Sequence, residues 1–143
     1  MHNLIEAYEV FTWENFTFIG KQLSGVDKDN LSGELMSHPA VFQQCMALLA
    51  LSKKELDEAN HELTYSGSFL RKESKENSKI KLTAKDLDDI VFTDSEYRDI
   101  ERRVTQATHK YLMVKGLVTS LEHKKDILVQ LSANNRSETK LYS

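Results

Sequence analysis

Apolar residues recur at alternating steps of three and four along two stretches of this chain. The later stripe runs Tyr97, Ile100, Val104, Ala107, Tyr111, Val114, Val118 and Leu121, breaks at Lys125 and resumes at Leu128. The earlier one runs Phe42, Cys45, Leu49, Ser52, Leu56, Ala59 and Leu63. Such steps average about 3.5 residues, the repeat of helices that pack lengthwise along a shared seam. The pattern predicts an all-α protein built on a long, coiled-coil-like antiparallel helical hairpin, with shorter N-terminal and connecting helices. It also predicts self-assembly. The expected interface residues are Tyr97, Ile100, Val104, Tyr111, Val114, Val118, Leu121 and Leu128 of the seam, with Trp13 and Phe16 near the N-terminus.

Asn3 to Leu23 reads as a first helix with Leu4, Tyr8, Phe11, Phe18 and Ile19 on one side. Phe11-Thr12-Trp13 and Phe16-Thr17-Phe18 also alternate as a strand would. Residues 24–37 hold Gly25, Gly33, two aspartates and Asn30, the composition of a hinge loop. Asp27 and Asp29 have the opening spacing of a calcium loop. Leu31 and Ser32 then stand where an oxygen ligand and a glycine are needed, so that motif fails.

A second helix is expected from His38-Pro39, because proline's missing N–H costs nothing in a first turn. It should run to about Tyr65, with Gly67 taking a left-handed cap conformation. Residues 66–82 read as a flexible basic connector rich in lysine and serine. Thr83 then caps a short helix that buries Leu87, Ile90 and Val91. Thr93-Asp94-Ser95-Glu96 has capping-box spacing for a last helix reaching about Leu131. That helix would span roughly 55 Å, so it must lie along the second helix or another subunit. Residues 132–143 read as a frayed tail.

A length of 143 residues fits a single helical domain, and one proline with five glycines argues against a turn-rich β fold. Cys45 is the only cysteine, which excludes an intrachain disulfide and a multi-cysteine metal site. Its place in the first stripe suits a small buried hydrophobe. No run resembles a secretory signal or a membrane span, so the expectation is a soluble protein of a reducing cytosol with no membrane partner.

The net charge of -3 hides strong segregation. From Gly67 to Lys85, six basic residues face only Glu73 and Glu76. From Asp86 to Glu101 the sign flips, with Asp86, Asp88, Asp89, Asp94, Glu96, Asp99 and Glu101 against a lone Arg98. From Arg102 onward it flips back. Blocked charge of this kind is compatible with an anionic partner despite the near-neutral total.

Enzyme chemistry is not expected. There is no phosphate-cradling glycine loop, no glycine-flanked serine and no histidine pair at zinc-binding spacing. His109 and His123 fall two heptads apart and read as solvated helix residues. The acidic block fits helix starts, where the dipole favours carboxylates, better than a metal site.

The basic connector is the strongest candidate. Arg71, Lys72, Lys75, Lys79 and Lys81, beside Tyr65 and Phe69, have the chemistry to hold phosphates while rings stack on unpaired bases. Arg103, Lys110 and Lys124 recur at sevens as a second basic stripe. The plainer alternatives are a solvated face for the first set and seam-flanking ion pairs for the second.

The layout resembles the UvsY-type recombination mediators of tailed phages over roughly His38 to Arg136. The resemblance rests on Tyr65-Ser66-Gly67 after a long helix, Leu82-Thr83-Ala84 opening a short one, and a closing helix with Lys124 and Lys125 near its end. It implies a ring-like homo-oligomer that binds single-stranded DNA in the cytoplasm of an infected bacterial host. It further implies a non-enzymatic role without cofactors, loading a recombinase onto strands covered by single-strand-binding protein. The chain departs from the family just before the Tyr-Ser-Gly turn, where Ala59 and His61 with Glu58 and Glu62 stand at positions that are basic in the family. That moves the expected contacts to the cations after the turn. The alternative is a phage adaptor or inhibitor that docks on a host protein through Phe11, Trp13, Phe16 and Phe18.

Overall fold

The computed structural model describes residues 2–142. Its elements are α1 (His2–Glu9), α2 (Trp13–Ser24), α3 (Leu31–Asn77), α4 (Ala84–Thr93) and α5 (Ser95–Tyr142), with a 3-10 turn at Lys28–Asn30. The described residues contain no strand, as the all-α expectation requires.

The expected single N-terminal helix is two. Thr12 is extended, and its Oγ1 accepts a hydrogen bond from the Asn15 N–H at 3.3 Å, which starts α2 afresh. The restart changes the helical phase. Phe16 and Ile19 therefore turn inward with Leu4, Ala7 and Tyr8, while Phe18, expected on the buried side, faces solvent.

The expected hinge at 24–37 is mostly ordered turn and helix. Asp27 Oδ1 accepts from the Asp29 N–H at 3.0 Å, and Asn30 Oδ1 accepts from the Gly33 N–H at 3.3 Å. These carboxylate and amide groups cap backbone donors and let α3 begin at Leu31. Pro39 thus lies inside α3 rather than at its start, and the Leu35 carbonyl loses the donor that a non-proline residue would supply.

At the other end α3 runs straight through Tyr65-Ser66-Gly67 to Asn77, and no described glycine has a positive φ. Of the expected connector 66–82, only 78–82 lies outside helix. Residues 132–142, read as a frayed tail, continue α5.

The chain divides into two compact units, with boundaries inside both long helices. One unit comprises the residues up to Leu51 and those from Leu112 onward. Its core joins Leu4 and Tyr8 of α1, Phe16 and Ile19 of α2, Cys45 and Leu48 of α3, and Val114, Leu117, Val118 and Leu121 of α5. Phe11, Phe42 and Leu49 pack around it. The other unit, Ser52–Tyr111, buries Ser52, Leu56, Leu87, Val91 and Ile100.

Every position of the earlier stripe is buried or half-buried, and so is the later one except at Lys125. Of the seam residues expected at a subunit interface, Ile100, Val114, Val118, Leu121 and Leu128 are buried within the chain, and Tyr97, Val104 and Tyr111 are half-buried. Lys125 is exposed, and Lys124 takes the inward place between Leu121 and Leu128. An α-helix turns once per 3.6 residues, so a strict 3.5 count drifts by one position over a helix this long.

Candidate nucleic-acid interface

The candidate site belongs to the second unit. The last turns of α3 carry Tyr65, Phe69, Lys72 and Lys75, and the chain from Ser78 to Thr83 carries Lys79 and Lys81. Gly67 faces inward. A Cβ built on it would stand 3.4 Å from the Tyr97 ring and 3.9 Å from Val91, so the missing side chain permits close approach to α4 and α5. Tyr65 and Phe69 lie two residues to either side of Gly67, on the opposite, solvent face of the helix. They are 71% and 52% exposed, and their rings stack at 6.3 Å between centroids with planes 21° apart.

The connector is held at its far end by α4. Thr83 Oγ1 accepts from the Asp86 N–H at 3.1 Å, and Asp86 Oδ2 accepts from the Thr83 N–H at 2.9 Å. These two bonds form a full capping box. The Thr83 backbone and hydroxyl contacts also hold the Asp86 carboxyl below its ordinary range. The cap of α5 falls one residue later than its sequence spacing suggests. Asp94 Oδ2 accepts from the Tyr97 N–H at 2.9 Å, and Thr93 Oγ1 donates back to the Asp89 carbonyl at 2.6 Å.

The structure separates the expected cations into two groups. Arg71 pairs with Asp88 at 2.7 Å, and Arg103 grips both oxygens of Glu62 at 2.9 and 3.1 Å. Lys110 stands 3.6 Å from Glu55. These pairs of the second unit run antiparallel between α3 and α5, with 55 opposite 110 and 62 opposite 103. In the first unit Lys124 is buried, only 8% exposed, and donates to the Leu23 carbonyl at 2.8 Å. Arg71, Arg103, Lys110 and Lys124 are thus tied to intrachain acceptors.

Lys72, Lys75, Lys79 and Lys81 are the second group. All four are exposed and outside any ion pair among the described residues. Lys85, which sequence reasoning left out of the site, adds a fifth exposed ammonium in the first turn of α4. Its position in the same basic block was the available signal. Ile80, also exposed, lies between Lys79 and Lys81.

The acidic block is distributed among structural tasks. Asp86 and Asp94 cap helices, Asp88 pairs with Arg71, and Asp99 pairs with Arg102. No group of three or more potential metal-ligating side chains occurs among the described residues. His109 and His123 are exposed on α5. No described helix is long and apolar enough to cross a membrane.

The arrangement can place phosphates against a short row of ammonium groups while a neighbouring ring pair offers π faces. Comparison with known protein families, curated proteins and solved structures gives no match to this chain.

Proposed function

We propose that the protein is a non-enzymatic, single-stranded DNA-binding protein that works as a recombination mediator in a homo-oligomeric ring. The observation that carries the binding part is the exposed Tyr65–Phe69 ring pair beside Lys72, Lys75, Lys79 and Lys81, ammonium groups outside any ion pair among the described residues. Lysines hold the backbone without reading sequence, and aromatic faces stack on any unpaired base. Duplex DNA hides its bases, so the ring pair favours single strands.

The mediator role and the ring come from the UvsY-like layout. A few phosphate contacts per subunit bind weakly, and a ring that repeats them raises the overall affinity through effective concentration. Its recombinase and the single-strand-binding protein are the expected protein partners.

Polarisation of a labelled single-stranded oligonucleotide tests the binding. Four phosphate contacts predict a log–log salt slope of about -3 per subunit. Tyr65→Ala with Phe69→Ala should cost roughly 1–3 kcal/mol for each base that stacks. Loading of a recombinase onto coated strands, with and without the protein, tests the mediator role.

A further inference from the structure

A second surface, on the other unit, stands apart from the nucleic-acid reading. Thr12 breaks the N-terminal helix in two, and a groove of about 540 Å³ opens along α1 and α2. Its walls include Glu6, Val10, Phe18 and Ile19. Val10 is 71% exposed and Phe18 60%. The core of this unit is already filled by Leu4, Tyr8, Phe16 and Ile19, so these outward groups add nothing to intrachain packing. Large apolar side chains in one exposed patch mark a contact site.

The charge around the groove says what fits it. Glu6 precedes Val10 by one helical turn, Glu9 is its neighbour, and Glu14 precedes Phe18 by one turn. All three carboxylates are exposed and lack an ion-pair partner among the described residues. The one lysine of α1 and α2, Lys21, lines a different groove, against Leu112 and Gly116 of α5. Val10 and Phe18 thus stand exposed on a groove that also carries Thr12, Asn15 and Gln22, with Glu6 in its wall and Glu9 and Glu14 adjacent in sequence to its lining.

We propose that this groove is a docking site for a basic amphipathic helix of another protein. The partner helix places an aliphatic or aromatic side chain between Val10 and Phe18, and its lysines or arginines face Glu6, Glu9 and Glu14. Helix-in-groove recognition has this division of labour, with anchors at helical spacing and flanking charge for orientation and on-rate.

The probe is a short labelled lysine–leucine peptide with leucines on one helical face, and its control is the glutamate–leucine peptide of the same pattern. The lysine peptide should bind saturably, read by polarisation of its label, while the glutamate peptide binds at least tenfold more weakly. Val10→Asp with Phe18→Ser, both exposed positions, should weaken binding tenfold or more with helicity unchanged by circular dichroism. Glu6→Gln, Glu9→Gln and Glu14→Gln together should weaken it and flatten its salt dependence. Equal binding of the two peptides, or variants that bind as tightly as the parent, overturns the proposal. So does a light-scattering mass that falls in the Val10→Asp with Phe18→Ser variant, since the patch would then be occupied by a second copy.

Discussion

The Lys124 ammonium lies 2.5 Å from Glu34 Oε2, deep between α5 and the start of α3. The contact is ionic, because that oxygen receives no hydrogen bond of good angle. The same ammonium donates to the Leu23 carbonyl at the end of α2, so one side chain ties three helices. Removing it strands a carboxylate in a buried place. Lys124→Ala is expected to cost about 3 kcal/mol, and Lys124→Met combined with Glu34→Leu should recover most of that loss. Urea unfolding of the single and double variants measures both. Neither should change the salt slope of oligonucleotide binding.

His38 is buried near this ion pair and stacks on Phe42 at 6.0 Å between centroids. Burial, then the charges of Lys124 and Lys125, lower its pKa from the ordinary 6.5, against the pull of Glu34. The unfolded chain therefore takes up a proton that the folded chain resists. The stability contributed by neutral His38 is complete above the ordinary value and is lost as pH falls below it, levelling off at the folded value. Unfolding midpoints between about pH 7.5 and pH 5 should decline in the parent and flatten in His38→Gln.

Cys45 is fully buried, and loss of solvent pushes its thiol up to about 11. Only the thiolate reacts with disulfide reagents. A chromogenic thiol assay should find no rapid labelling in the native protein and one equivalent after denaturation. Rapid native labelling would mean that α3 opens readily around this residue.

Gly67 makes a different kind of prediction. A Cβ would already reach van der Waals contact with the Tyr97 ring at 3.4 Å, so the two further methyl groups of Gly67→Val press against α4 and α5. Overpacking of this kind costs about 1–3 kcal/mol. The second unit buries few large side chains, so amide exchange should accelerate there first.

The two long helices were legible because burial has a period, and a stripe from Phe42 to Leu63 or from Tyr97 to Leu128 has no other use in an all-α chain. Their ends were not. Pro39 and Gly67 are the residues that ordinarily open and close helices, yet both sit in the middle of α3. Asn30 caps the true start, and close packing against Tyr97 explains the glycine without any left-handed turn. Local punctuation was overruled by tertiary contact.

The basic residues were legible as a block and illegible as individuals. Nothing in sequence spacing tells that Arg71 meets Asp88 across the α3–α4 turn, or that Arg103 meets Glu62 forty-one residues away. Lys124 and Lys125 are neighbours in the chain, and one residue of helical phase decides which is buried.

The central claim concerns the four lysines left over from that pairing. Oligonucleotide affinity should be measured against salt for the parent and for Lys72→Gln, Lys75→Gln, Lys79→Gln and Lys81→Gln combined. The parent should show a slope of about -3 per subunit, and the variant should lose affinity and most of that slope. Equal affinity and slope in the two proteins, or binding that salt does not weaken, would contradict the account.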